Sequence, residues 1–378
     1  MKTDNIDITL IAIDGGPCSG KSSGLAKVSQ ELVRVGVIPL IVPEAATLLI
    51  TSGVTPGDLG SLEFQRHIAR LQISNEKTWI AAAAALAKKH GKRVVLLCDR
   101  GLVGAAAYLS GKNRLLELEG ILAELGLNIE DARTRYAGVI HMVTAANGAE
   151  EFYTLANNEA RKETPEEARA LDKRTMKAWL GHPHLAVVGN VDRSGRQISF
   201  EEKMNKVVAE VFRILGHPVP LEIEDKYRVE DFDPLRLPVA VESVSILQTY
   251  LVSSKEGFTE RVRKRMWLGR TSYFHTLKRP AGHGRIEIER LISSWEYERL
   301  LEKADPDKDA ISKIRHCFVW KDQYFEVDVF EGKLAGLVLM ERERTDENDS
   351  TEVPCFINVV EDVTDDERYS NSSLARKA

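Results

Sequence analysis

Cysteine is scarce. Cys18, Cys98, Cys317 and Cys355 are the four in 378 residues, and none forms a C-x-x-C pair or has a His-rich neighbourhood. That spacing argues against a zinc knuckle and a disulfide framework, and the expected home is a reducing cytosol, hence a cytoplasmic protein. Long apolar runs are missing too. The N-terminal run Ile8–Ile13 ends in glycines and is too short for a signal-peptide core or a membrane span, so it reads as a strand. The alanine run Ala81–Ala85 sits between Trp79–Ile80 and Leu86 and reads as part of a packed helix. Nor does charge of one sign dominate: 52 basic against 57 acidic residues leave a net charge of -5. Bulk electrostatics therefore give no basis for a nucleic-acid partner or membrane-surface binding. Any anion site has to be a local concentration of Lys and Arg.

What is present is a globular mix, 43% hydrophobic and 29% charged, in a chain long enough for two cores. Up to about residue 216, apolar runs alternate with longer helical patterns. Ile8–Ile13, Ile38–Val42, Arg93–Cys98, Gly138–Val143 and Leu185–Val188 are the expected strands. Ser22–Val35, Leu62–Lys89 and Glu201–Leu215 are among the expected helices. Such alternation predicts an α/β domain, a parallel sheet with helices on both faces. Gly216-His217-Pro218-Val219-Pro220 then breaks the rhythm, and residue-by-residue alternation follows. The expected division is a first domain over 1–216, a linker over 217–220 and a second, antiparallel domain over 221–378.

Gly15-Gly16-Pro17-Cys18-Ser19-Gly20-Lys21-Ser22 fits G-x-x-x-x-G-K-[ST], with an apolar strand before it and a helical pattern from Ser22–Ser23. Glycines let backbone N–H groups curl around phosphate oxygens, and the helix N-terminus adds partial positive charge. Lys21 is expected on the β- and γ-phosphates and Ser22 on magnesium. Asp99 ends an apolar strand, where its carboxylate can reach the same metal; the alternative is a turn-forming Asp. Thr164-Pro165-Glu166-Glu167 is a helix start, with Thr at the N-cap, Pro at N1 and Glu at N3. Around it Arg161, Arg169, Lys173 and Arg174 make either a lid over a nucleotide or a solvated charged helix. Glu44, just after the second strand, is a weaker candidate for touching an acceptor or an attacking water.

The second half repeats one pattern. Glu222, Glu224, Lys226 and Arg228 share a strand face, as do Arg261, Arg263 and Arg265. Thr276 and Lys278, then Arg285, Glu287 and Glu289, then Glu326 and Asp328, and finally Glu341 and Glu343 continue it. One such strand is an ordinary half-solvated strand. Several bearing clustered like charges call for partners, since adjacent carboxylates repel unless a cation intervenes and clustered arginines attract an anion. A sheet closed with these faces inward satisfies both, with carboxylates on Mg²⁺ or Mn²⁺ and Lys/Arg on a phosphate chain.

These residues resemble the CYTH superfamily, the triphosphate tunnel metalloenzymes. The match rests on E-x-E-x-K (Glu222, Glu224, Lys226), R-x-R (Arg263, Arg265), L-K-R-P (Leu277–Pro280), E-x-E (Glu287, Glu289), E-x-D (Glu326, Asp328), a second E-x-E (Glu341, Glu343) and the closing stretch Val360–Ala375. The resemblance implies an eight-stranded antiparallel tunnel barrel that hydrolyses a phosphoanhydride with Mg²⁺ or Mn²⁺. It implies metal ligation by Glu222, Glu224, Glu341 and Glu343, with Glu289 and Asp328 as further candidates. It implies phosphate contacts from Lys226, Arg263, Arg265, Lys278 and Arg315, with Lys377 at a lid. Glu224 and Lys226 would be catalytic in the tunnel, Lys21 and Asp99 at the phosphate loop. The first domain is similar to the P-loop ATPases that include the kinase domain of bacterial NAD-biosynthesis regulators. The two-domain order resembles an animal GTP- and phosphoinositide-binding protein of channel trafficking. The expected function is therefore ATP or GTP binding with Mg²⁺, as an NTPase or kinase, joined to hydrolysis of inorganic, nucleoside or organic triphosphate. The rival is a non-enzymatic module whose tunnel captures a phosphoinositide headgroup or polyphosphate.

Overall fold

The computed structural model describes residues 8–153, 163–192, 194–216, 223–253, 257–281, 284–344 and 351–377. Arg161 and Glu222 lie outside them. The chain divides into two compact units, Met1–Val211 and Phe212–Ala378.

In the first unit, β1 (Ile8–Gly15), β2 (Ile38–Val42), β3 (Val94–Asp99), β4 (Gly138–Met142) and β5 (Leu185–Val188) form one sheet. The strand order is β2-β3-β1-β4-β5, and every neighbouring pair is parallel. The inner strands are mainly apolar, and β3 up to Cys98 and all of β4 are buried, as a sheet covered on both faces requires. Helix α1 (Lys21–Arg34) follows β1 directly and turns Leu25, Val28 and Leu32 toward the core. The 30-residue α2 (Ser61–His90) ends at Gly91 in the left-handed conformation, with Lys88, Lys89 and His90 in its last turn. Helix α3 (Pro165–Trp179) begins on the expected capping box, Thr164 accepting from the Glu167 amide. Helix α4 (Phe200–Ile214) follows β5.

Among the described residues, the second unit is built on one antiparallel sheet of nine strands. These are β6 (Ile223–Glu230), β7 (Val241–Leu251), β8 (Thr259–Trp267), β9 (Arg270–Ala281), β10 (Gly284–Ile292), β11 (Ile311–Trp320), β12 (Gln323–Phe330), β13 (Val338–Arg344) and β14 (Asn358–Asp362). Their order is β10-β9-β8-β7-β11-β12-β13-β6-β14. The resemblance implied eight strands. The ninth, β14, comes from the closing stretch and pairs with β6 through a register shift between Val359 and Glu361. Alternation divides the sheet: Val229, Phe318, Phe325, Val327 and Met340 form an apolar cluster on one face. The alternate residues of β6, β12 and β13 carry the charged set on the other.

Candidate functional sites

The phosphate loop leaves the C-terminal end of β1. Gly20 stands at φ 90° before α1, in the left-handed region where a side chain is strained. At Gly16 the constraint is space: a Cβ there would meet the Asp172 carboxylate at 2.6 Å. Asp172 instead accepts the Gly16 N–H at 2.7 Å and the Thr144 N–H at 3.2 Å, tying the loop to the start of the segment after β4. Lys21 folds back on the loop, its Nζ 3.2 Å from the Gly15 carbonyl and 3.0 Å from that of Gly16. Burial, and then the Arg100 charge, lower its pKa to about 8.

Asp99, the last residue of β3, has a buried Oδ1 with no hydrogen-bond partner. Burial, reinforced by Glu44, raises its pKa to about 6. An unmatched carboxylate oxygen beside the Ser22–Lys21 loop fits a hard cation. Arg100, at φ 71°, donates to Glu44, to Asp14 at 3.2 Å and to the Gly15 carbonyl at 3.0 Å. Burial alone would raise the Glu44 pKa, but Arg100 and Lys21 outweigh it and hold that carboxyl at about 2. Pro17, Cys18, Ser19, Gly20, Lys21, Ser22 and Ser23 all line a cavity of about 1510 Å³, with Glu44, Asp99 and Arg100. Arg169 does not line it; it donates to the Ala146 carbonyl at 2.7 Å and to Glu166 at 2.6 Å. Asp14 and Asp172 were not singled out in the sequence. Asp14 is fully buried and accepts from Trp179 Nε1 at 2.8 Å, a partner 165 residues away.

In the second unit the charged faces meet as expected from their alternation. Lys226 Nζ lies 2.9 Å from Glu341 and 3.5 Å from Glu224. Burial opposes its charge, but Glu341 and Glu224 outweigh burial and raise its pKa above the ordinary lysine value. Arg315 forks onto Asp328 with two bonds of 2.7 Å, reaches Glu341 at 3.1 Å and also bonds Glu326. Arg263 donates to Gln248 at 2.9 Å and to Glu289 at 3.0 Å; Thr276 donates to the same Glu289 oxygen at 2.7 Å. Arg265 is buried with its guanidinium 5.7 Å from the centre of the Phe274 ring. In register, Lys278 faces Thr259 and Glu287, and Glu343 faces Glu224. Two expected residues are exposed: Glu343, which accepts from Arg213 at 2.8 Å, and Lys377, which donates to the Pro306 carbonyl at 2.5 Å.

Sequence reading passed over Lys313 and Gln248. Lys313 is 1% exposed, bonds Asp328 and donates to Asn371 at 3.2 Å. Burial, opposed by Asp328, lowers its pKa to about 8. It shares a strand face with Arg315, so the same alternation contained the signal. Gln248 is fully buried in β7 and carried none. Among the described residues, no three His, Cys, Asp or Glu side chains form a metal-holding group, and no helix is long and apolar enough to cross a membrane.

The AAA domain family matches residues 10–196. An inorganic triphosphatase of Nitrosomonas europaea is 34% identical over 158 residues, which is 41% of this chain and 96% of that protein. An inorganic triphosphatase of Acetivibrio thermocellus is 38% identical over 95 residues, 25% of this chain and 59% of that protein. A crystal structure of an inorganic triphosphatase aligns at 31% identity with a TM-score of 0.31, covering 42% of this chain and 95% of that one. With that identity over nearly the full length of the first relative, the chain belongs to the inorganic triphosphatase family.

Proposed function

We propose that the second unit hydrolyses a triphosphate within its charged face, and that the first unit binds ATP or GTP with Mg²⁺ at the phosphate loop. In this reading 1–216 carries the nucleotide chemistry and 221–378 the triphosphate chemistry as a CYTH-type tunnel. The 158 residues matched by the Nitrosomonas europaea triphosphatase are close to the extent of Phe212–Ala378, which supports assigning it there.

One observation carries the proposal: Lys226, Lys313 and Arg315 are buried on one sheet face, where their polar partners among the described residues are interior carboxylates and Asn371 or Tyr369 oxygens. Buried charges are costly unless paired, and an interior with so many of both signs suits a ligand that carries charge itself. Arg263, Arg265 and Lys278 extend the cationic surface along β8 and β9 for a linear polyphosphate. Glu341 faces Glu326 across β12–β13, and Glu343 faces Glu224 across β13–β6. Directly opposed carboxylates with only oxygen donors fit Mg²⁺ or Mn²⁺, which would be held by Glu224, Glu341 and Glu343 with Glu222; Glu289 and Asp328 would be further candidate ligands. Such a cation, when bound, neutralises phosphate charge and acidifies water. Lys226, held protonated by its carboxylates, orients the attacking water and stabilises negative charge; it does not take the proton.

The test is phosphate release by the purified full chain from tripolyphosphate, pyrophosphate, ATP and GTP, each with Mg²⁺ and with Mn²⁺. Turnover of at least one triphosphate that survives Lys21→Ala is expected. Tight binding of tripolyphosphate without turnover under any condition would replace this reading with a capture module.

A further inference from the structure

The turn that carries Asp99 and Arg100 is held in a conformation it would not adopt alone. Arg100 stands at φ 71°, in the left-handed region that a residue with a side chain enters only when its surroundings impose it. The constraints come from several sides. The Arg100 N–H donates to the Ile13 carbonyl at 3.0 Å, and Gln72 Nε2 donates to the Arg100 carbonyl at 3.4 Å. Trp179 closes on Gly101, where a Cβ would meet its ring at 2.7 Å. Leu102 opens a 3₁₀ helix over Leu102–Tyr108 that has no side-chain cap, and its N–H instead donates to the Tyr136 hydroxyl at 3.0 Å.

Tyr136 belongs to a buried polar network behind the site. It is 2% exposed, and its hydroxyl donates to Glu76 Oε1 at 2.6 Å. Glu76, fully buried on α2, also accepts from Gln72 Nε2 at 3.0 Å, and Arg135 Nε lies 2.9 Å from its other oxygen. Gln72 and Glu76 are one helical turn apart and share a face of α2. Burial, reinforced by Glu76, pushes the Tyr136 pKa well above the ordinary tyrosine value. The hydroxyl therefore keeps its proton, donating to the carboxylate while it accepts from Leu102. Neither Tyr136 nor Glu76 lines the cavity at the phosphate loop, whereas Gln72, Asp99 and Arg100 do. A satisfied buried network fixes one geometry where apolar packing leaves latitude.

We propose that Tyr136, held by Glu76, is a positioning residue for the Asp99–Arg100 turn. By gripping the Leu102 N–H it keeps Arg100 in the left-handed region and the Asp99 carboxylate in the place from which it would hold the cation of a nucleotide complex. Without that grip Arg100 relaxes to negative φ, its guanidinium leaves Glu44 and Asp14, and Asp99 moves with it. The phosphate loop is anchored separately, by Asp172 on the Gly16 N–H, so its hold on phosphate does not pass through Tyr136. The proposal rests on nucleotide binding with Mg²⁺ at that loop.

The experiment measures binding of the β,γ-imido analogues of ATP and GTP to the full chain by calorimetry, with Mg²⁺ and in EDTA. Only the binding that Lys21→Ala removes is counted. Tyr136→Phe deletes the hydroxyl and keeps the ring, which packs edge-on against Trp179 at 5.7 Å. Expected is a Kd raised about tenfold with Mg²⁺, the scale of one buried hydrogen bond, and changed less than about twofold in EDTA. Mn²⁺ in the same complex, followed by its electron paramagnetic resonance signal, should bind more weakly by the same factor. Glu76→Gln separates positioning from stability. Its amide oxygen still accepts from Tyr136 and Gln72, while Arg135 loses its charge partner. That variant should melt lower yet keep its Mg²⁺-dependent affinity. Equal weakening with and without metal, no weakening, or the same loss of Mg²⁺ dependence in Glu76→Gln overturns the proposal. Should Tyr136→Phe fail to fold, Gln72→Met frees the Arg100 carbonyl and carries the same test. If the native chain shows no nucleotide binding through Lys21, the nucleotide reading falls, and this inference with it.

Discussion

Glu341 bridges two buried cations: one carboxylate oxygen lies 2.9 Å from Lys226 Nζ and the other 3.1 Å from Arg315 Nη2. Glu341→Gln keeps the shape and removes the charge between them. Breaking a buried pair by neutralising one partner costs roughly 3–5 kcal/mol, because the other charge stays buried. The variant should melt at a lower temperature, and bound tripolyphosphate should restore much of the loss by supplying the missing negative charge. Its kcat should fall by more than about tenfold without a matching rise in KM, since a positive interior still attracts the anion. A lowered melting temperature with an unchanged rate per folded molecule would make Glu341 a structural ion-pair partner only.

Asp99 predicts the opposite balance. Its folded pKa of about 6, against an ordinary 3.8, means the ionised form is disfavoured by folding. The resulting destabilisation is absent below the unfolded pKa, grows as pH rises from about 4 to 6, and is fully present above that. Asp99→Asn should therefore raise stability at pH 7.5 by roughly 1–3 kcal/mol, and the gain should vanish by pH 4. The same variant should lose Mg²⁺-dependent nucleotide binding. Melting curves across pH, with and without nucleotide, test both halves; a gain independent of pH would show that Asp99 is already ionised without cost.

Much of this was legible in sequence because the two periods differ. Alternation along β6, β8, β12 and β13 places Lys226, Arg263, Arg265, Asp328 and Glu341 on one face, and the strand–loop–helix context identifies Gly15–Ser22. What was hidden depends on long-range contact. Asp172 reaches Gly16 across 156 residues, and no local pattern marks an Asp inside a charged helix as the support of a phosphate loop. Gln248 is neutral and stands between Leu247 and Thr249 with no charged residue beside it in sequence, so only its burial reveals it. Strand β14 contains a register shift, which breaks the alternation by which strands are recognised.

Lys21 should couple nucleotide binding to protons. Burial and Arg100 hold its pKa near 8 in the free protein, and a polyphosphate beside it raises that value. Binding at pH 8–8.5 should then take up a fraction of a proton, and affinity should fall as pH rises through that range. Calorimetry in two buffers of different ionisation enthalpy measures the uptake. No uptake, or release, would mean that Lys21 is fully charged before the nucleotide arrives.

Gln248 makes the sharpest demand on the triphosphate site. Arg263 Nε donates to its Oε1 at 2.9 Å, and a guanidinium Nε can only donate, so the amide cannot be flipped. Its Nε2 is thereby turned away, buried, and has no hydrogen-bond partner. An unmatched buried donor on the face shared by Arg263 and Arg265 is what a phosphate oxygen would satisfy. Gln248→Glu keeps the acceptor for Arg263, replaces the donor with a negative oxygen and barely alters volume. Folding should survive, with the melting temperature held or raised by the new Arg263 pair. A hydrogen bond to a charged group contributes roughly 1.5–3 kcal/mol, or about 10- to 100-fold, so KM for tripolyphosphate should rise by at least that factor as repulsion adds to the lost bond. Gln248→Met removes the acceptor as well and should lower both stability and affinity. Steady-state kinetics and melting curves on the two variants separate the effects, and an unchanged KM in Gln248→Glu would place the bound anion away from β7.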